Sequence, residues 1–336
     1  MQTFPLAVTL VLLTLPSVTR LLAESTQPSQ KIGRPVRVVS FSFRPGKPLE
    51  EILNLMDREG EKGADLIVLP ETWRGQNDRS CEAIDGPTNT ALMKLAKKHH
   101  TYIVSPIDAM CEGKGRCNTA VVINRQGKIS ATYDKVYPYW SEYRHKVPVQ
   151  PGKGTSVIET DFGKLGMAIC FDVNFPEVWQ DMANDGAELV VWPSAYSAGR
   201  HLQAYALLHH YYIVTATYHG DCQVYDITGE RILDEQTEGI NISRITLDLD
   251  RGIYHQNFNG EKRQKLLADH GDKILLGEDL DREQWYVLKA NKPGVSARAL
   301  ARQYGMEELQ DYIARSRREI NRMRATNASQ SSVNSN

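Results

Sequence analysis

Neither sign of charge dominates this 336-residue chain: 40 Lys and Arg stand against 41 Asp and Glu, for a formal net charge of −1. That balance argues against a protein built to grip nucleic acid, because phosphate binding is driven by clustered Lys and Arg. A long apolar run is also missing. The best candidate, Phe4 to Leu15, is too short to span a bilayer comfortably, so no integral membrane domain is expected beyond the N-terminal segment. Its length suits the apolar centre of a secretory signal, with Pro16, Arg20 and the small Ala23 behind it, and residues 1–23 are read as a signal for export. No Lys or Arg precedes the run, which leaves an N-terminal anchor as the alternative. Cysteine is scarce, with five residues and the first at Cys81, which argues against a lipid-modified anchor. Metal-ligand spacing is absent too. His99 and His100 are too loosely placed to supply it, and neither metal nor cofactor is expected. Cys111 and Cys117 flank Glu-Gly-Lys-Gly-Arg, and an exported chain is expected to close a local disulfide there.

A hydrophobic content of 41% is enough to bury a sizeable core. Pro35 to Phe43 reads as a first strand, rich in β-branched and aromatic residues. Leu49 to Lys62 has apolar residues at Leu49, Ile52, Leu53 and Met56, a helical spacing that Gly63 ends. Strands are expected at 64–69, 102–106, 118–124 and 128–133, the last two joined by Arg125-Gln126-Gly127, and a helix at 89–100. Farther on, helices at 176–185 and 200–210 alternate with strands at 187–192, 212–218, 222–226 and 242–249.

The chain also echoes itself. Gly63-Ala64-Asp65-Leu66-Ile67-Val68-Leu69-Pro70-Glu71 and Gly186-Ala187-Glu188-Leu189-Val190-Val191-Trp192-Pro193-Ser194 share one pattern, each after a helix-like segment. Two similar α/β halves are implied. Residues 35–250 are therefore taken as the folded domain. Residues 251–324 form an extension whose helical arm covers Ser296 to Arg324, and 325–336 a disordered polar tail. Within the arm, Ala299 to Met306 has only a weak helix-turn-helix pattern, set aside for a C-terminal arm that packs on the core or on a second subunit.

Three reactive residues stand just after core strands: Glu71, Lys135 and Cys170. Catalytic groups of α/β proteins gather at such strand ends. Together they make an acyl-transfer site, with a thiol nucleophile, a carboxylate to take its proton and a fixed positive charge for the oxyanion. Partial desolvation of the carboxylate and a neighbouring ammonium would make that proton transfer feasible.

Leu69-Pro70-Glu71, Lys135-Val136-Tyr137-Pro138 and Cys170-Phe171-Asp172-Val173-Asn174-Phe175-Pro176-Glu177 resemble, in order, the three motifs of the nitrilase superfamily of carbon–nitrogen hydrolases. The similarity runs from about Val36 to Leu249. It implies an α/β fold, a four-layer αββα sandwich, and units that pair into a homodimer or higher homo-oligomer. It also implies that Cys170 attacks the carbonyl or nitrile carbon, that Glu71 is general base and acid, and that Lys135 stabilises the tetrahedral intermediate. The Phe171 N–H would be a further oxyanion donor, and Glu142 matches a second glutamate that positions substrate and lysine. Phe171-Asp172 is more similar to the amidase and carbamoyl-amide hydrolase branches than to nitrilases, which usually carry Trp-Glu there. A small-molecule amide is the expected substrate. Carbamoyl amines, nitriles, acyl transfer from the same thioester and a silent scaffold remain alternatives.

Tyr196 begins one of three stretches, 73–80, 137–144 and 196–201, expected to wall the pocket, where Arg74, Arg144, Arg200 or His201 would hold a substrate carboxylate. One departure from the family is Ala206-Leu207-Leu208-His209-His210, where many members have Arg-Ala-x-Glu-Asn.

Overall fold

A computed structural model describes residues 31–76, 80–111, 115–144, 146–154 and 157–333. The expected export segment, residues 1–23, lies outside them. The first half of the core is β1 (Pro35–Ser42), α1 (Leu49–Glu61), β2 (Leu66–Val68), α2 (Pro87–His99) and β3 (Tyr102–Met110), with the three strands parallel. Next come β4 (Arg116–Ile123) and β5 (Ile129–Asp134), added antiparallel at the edge. After α3 (Trp140–Tyr143) and β6 (Val157–Glu159), the plan repeats as β7 (Lys164–Met167), α4 (Pro176–Asn184), β8 (Leu189–Ser194), α5 (Gly199–His209) and β9 (Tyr212–Thr217). β10 (Asp221–Tyr225) and β11 (Arg231–Gln236) extend the second sheet antiparallel, and β12 (Asn241–Asp248) returns to pair with β1.

The two six-stranded sheets, β12-β1-β2-β3-β4-β5 and β11-β10-β9-β8-β7-β6, lie between two helix layers. β1 shows why. Val36 and Val38 enter the core between the sheets with Val68, Met167 and Val191, while Val39 and Phe41 point to the other face and pack with Ile52, Met56 and Leu92 of α1 and α2. A strand buried on both faces reads as a nearly continuous apolar run. On the second sheet Trp179, Met182, Leu202 and Ala206 of α4 and α5 do the same. The expected αββα sandwich is the fold found. The internal echo is found as well: β2 lies between β1 and β3 as β8 lies between β7 and β9, and Gly63 and Gly186 precede them with φ of 82° and 80°. Only glycine takes that conformation at no steric cost.

The structure departs from expectation at several places. β3 continues past Pro106 to Met110, because β2 pairs only with Tyr102, Ile103 and Val104, so the ring nitrogen faces an edge that β2 has already left. The edge strand β11 is nearly all exposed and carries no apolar alternation to be read. The extension, expected to be irregular apart from its arm, holds a three-stranded sheet. It comprises β13 (Gly252–His255), α6 (Gln256–His270), β14 (Ile274–Leu280) and β15 (Trp285–Ala290), in strand order β13-β15-β14. Only Ile274 of β14 is buried and its register slips between Leu276 and Asp279, which erases the period-two signal. The arm itself is two helices, α7 (Ala297–Gln303) and α8 (Leu309–Val333), parted at Gly305, whose φ is 68°. α8 runs on to Val333 through residues taken as a disordered tail, since no Pro or Gly follows Gly305 to stop it. Arg298 joins the extension to the core, donating to Glu188 at 2.7 Å and to Glu308 at 2.6 Å.

Candidate active site

Strand ends deliver the three reactive side chains. β2 stops at Val68, and Leu69-Pro70 carry the chain to Glu71, followed by Thr72 at a φ of 33°. Cys170 opens a tight 3-10 turn, Cys170–Asn174, three residues after β7, and holds a φ of 46°. Non-glycine residues occupy this left-handed region only when their surroundings enforce it. For Cys170 the enforcing group is Asp172, whose buried carboxylate accepts from the Tyr133 hydroxyl at 2.6 Å and from the Ile169 and Tyr137 N–H groups at 2.9 Å. The Trp192 indole N–H donates to the Cys170 carbonyl at 3.1 Å, and the Trp179 indole to the Asp172 carbonyl at 3.2 Å. Lys135 follows β5 directly, and its N–H donates to the Asn118 carbonyl of β4 at 2.9 Å.

At the centre is one buried network. Lys135, Glu142, Glu71 and Cys170 are 1%, 3%, 4% and 6% exposed. Lys135 Nζ donates to Glu71 Oε1 at 2.8 Å and to Glu142 Oε2 at 2.6 Å. The Asn118 amide spans the same carboxylates, donating to Glu71 Oε1 at 2.7 Å and Glu142 Oε1 at 2.9 Å. Gln76 and the Tyr139 N–H each donate to Glu142 at 2.6 Å, and the Ala195 N–H donates to Glu71 Oε2 at 2.8 Å. Glu142 thus pairs with Lys135, while Arg144 lies over the Trp140 ring.

Burial alone would strip the Lys135 ammonium of its proton, but the carboxylates of Glu71 and Glu142 reverse that and raise its pKa. Burial would raise Glu142, yet Lys135 holds its carboxyl below the ordinary value. The Cys170 thiol is pushed up, first by burial and then by the charge of Glu71, against the opposing pull of Lys135. A neutral thiol, an ammonium and a carboxylate therefore face one space before substrate arrives. Burial also lifts Asp172 from 3.8 to about 6, despite its three donors.

That space is a cavity of about 510 Å³ whose wall includes Glu71, Lys135, Glu142, Cys170, Phe171 and Tyr196. All six site residues expected from the sequence meet there. Arg74, Arg144, Arg200 and His201 do not line it: Arg74 donates to the Lys47 carbonyl at 3.2 Å and Arg144 is stacked on Trp140. Gln76 falls in the stretch 73–80 expected to wall the pocket, whereas sequence reasoning missed Asn118, Ala195 and Asp172. The echo held a signal for one of these: Ser194 aligns with Glu71, so Ala195, the next residue, was due at the equivalent strand end. Among the described residues no group of three or more His, Cys, Asp or Glu is arranged to hold a metal, and no helix is long and apolar enough to cross a membrane.

The family model for carbon-nitrogen hydrolases matches residues 35–252. The chain is 27% identical over 252 residues to a citrullinase of Francisella tularensis, covering 63% of this chain and 88% of that protein. It is 30% identical over 154 residues to an omega-amidase of Danio rerio, covering 43% of this chain and 56% of the relative. The match spans about half the length of several curated relatives, 47% in the case of a Schizosaccharomyces pombe hydrolase. Among solved structures, an amidase from Nesterenkonia sp. superimposes with a TM-score of 0.56 at 22% identity, covering 72% of this chain and 99% of the other. Saccharomyces cerevisiae Nit3, of the nitrilase superfamily, does so with a TM-score of 0.57 at 21% identity, covering 66% and 93%. These two likenesses bear on the fold.

Proposed function

The chain belongs to the carbon-nitrogen hydrolase family, and from that premise we propose that it cleaves the C–N bond of a small amide through a thioester on Cys170. The observation that carries this reading is the Lys135 ammonium held between Glu71 and Glu142 on the wall that also presents Cys170. Glu71 takes the thiol proton as the sulfur adds to the amide carbonyl carbon. The oxyanion that forms is stabilised by the Lys135 ammonium and the Phe171 N–H. Glu71 then returns the proton to the amide nitrogen, the C–N bond breaks, and ammonia or an amine leaves. A water gives a proton to Glu71 and its hydroxyl to the thioester carbon, releasing the acid and restoring the thiol. Glu142 keeps the ammonium aimed, and Tyr196 forms part of the substrate wall.

Phe171-Asp172 after the nucleophile favours an amide over a nitrile. The test is ammonia release from a panel of primary amides by the wild type and Cys170→Ala. Loss of at least about a thousandfold, with the unfolding midpoint unchanged, is expected when a nucleophile is removed. Undiminished release by the variant would sink the reading.

We also propose export of the enzyme to an oxidising compartment. The apolar run Phe4 to Leu15 supports this, as does the pairing of Cys111 with Cys117 across the β3–β4 hairpin, where their Cα atoms are 5.7 Å apart.

A further inference from the structure

We infer that the acyl group this enzyme accepts is uncharged and apolar, an alkyl or aryl chain running from Cys170 over Phe171 onto the ring of Tyr139. This deepens the amide-hydrolase reading and rests on it.

The cavity wall carries two carboxylates, Glu71 and Glu142, and its one cation among the described residues, Lys135, already bonds both. A carboxylate on the substrate would enter a desolvated site of net negative charge and find no unengaged cation. Gln76, which also faces the cavity, is spent on Glu142.

An aromatic path leads away from the nucleophile. Phe171 follows the nucleophile and meets Tyr139 edge-to-face at 5.2 Å between centroids, and Tyr139 meets Trp140 at 5.7 Å. Tyr139 is 42% and Trp140 49% exposed. Tyr139 lines the cavity beside Phe171, and a large ring on a catalytic cavity left half in water is a surface awaiting an apolar partner. Trp140 stands behind it, outside the wall, with the Arg144 guanidinium 5.3 Å from its ring centroid. Both sit on or beside the one-turn helix α3, whose N-terminal N–H is fixed by Glu142 at 2.6 Å, so the rings are held in register with the acid that aims Lys135.

The experiment compares kcat/KM for acetamide, butyramide, hexanamide, 3-phenylpropanamide and succinamate. Each methylene newly covered contributes a factor of roughly four, so hexanamide and 3-phenylpropanamide should exceed acetamide by about tenfold or more. Succinamate should fall at least about tenfold below butyramide, since its carboxylate is buried without a partner. In Tyr139→Ala, a change at a half-exposed ring whose backbone N–H still reaches Glu142, the ratio of 3-phenylpropanamide to acetamide should collapse severalfold. A flat series, or succinamate equal to butyramide, overturns the inference and leaves amide hydrolysis standing. If no amide yields ammonia and none leaves an acyl mass on Cys170, the hydrolase reading falls and the inference with it. If Tyr139→Ala keeps the ratio but changes the sedimenting mass, the ring belongs to a protein interface and the inference is overturned.

Discussion

A lysine 1% exposed is tolerable only because two carboxylates and an amide surround it. Removing one member of such a buried cluster costs more than the pair contributes when intact, since the remaining charge keeps its desolvation penalty. Asn118 tests this without touching a charge. Its amide donates to both Glu71 and Glu142, holding apart two acids that the same Lys135 draws together. Asn118→Ala is expected to lower kcat about tenfold to a hundredfold, at about 1.5 to 3 kcal/mol per hydrogen bond to a charged group. It should also shift the acid limb of the kcat/KM profile against pH, a change that loss of packing alone would not produce. A wild-type profile in the variant would contradict the bridging role. Glu71, Lys135 and Cys170 were legible in the sequence because each ends a strand beside proline or a polar turn and because the three recur in a family's order. Asn118 was not, because it lies inside the wholly buried run of β4, where a single amide looks like any satisfied core polar group.

Between residue and fold stands the turn Cys170–Asn174. Its geometry depends on Asp172, whose folded pKa of about 6 lies above the ordinary 3.8. The fold therefore binds this proton more tightly than the unfolded chain does. The group's contribution to stability is fully present below the unfolded value and is lost as pH rises through the folded one. Asp172→Asn is expected to flatten the fall in urea-unfolding free energy between those two pH values, and an unchanged slope would show that another group titrates there. The same substitution places an NH2 against donors from Tyr133, Ile169 or Tyr137, so it should also slow the reaction. Helices α1, α2, α4 and α5 were legible because their apolar spacing faces one sheet each. β11 and β14 were not, since edge strands with exposed charged faces carry no period for burial to impose.

At the scale of the molecule, the internal echo is what brings the site together. β2 and β8 hold equivalent places in the two sheets, and from their ends Glu71 and Ala195 meet by a hydrogen bond of 2.8 Å. The core was readable because both halves repeat one β-α-β-α-β plan. The extension was less so, because it meets the core through ion pairs, Arg298 with Glu188 and Arg251 with Asp226, and through scattered apolar residues, Ile253, Val287 and Leu309, which together leave no period in a sequence. If the chain is exported, the mature protein should have lost residues 1–23 and should be two hydrogens lighter from the Cys111–Cys117 bond. A full-length reduced chain outside the cytoplasm would contradict that. The central claim, that Cys170 carries the acyl group of an amide, is tested most directly by acid-quenching the enzyme during turnover of 3-phenylpropanamide and measuring its intact mass. The account expects a gain equal to the phenylpropionyl group less one hydrogen, mapped by peptide fragmentation to Cys170 and absent from Cys170→Ala. An adduct on another residue, or ammonia released at the wild-type rate by Cys170→Ala, would contradict it.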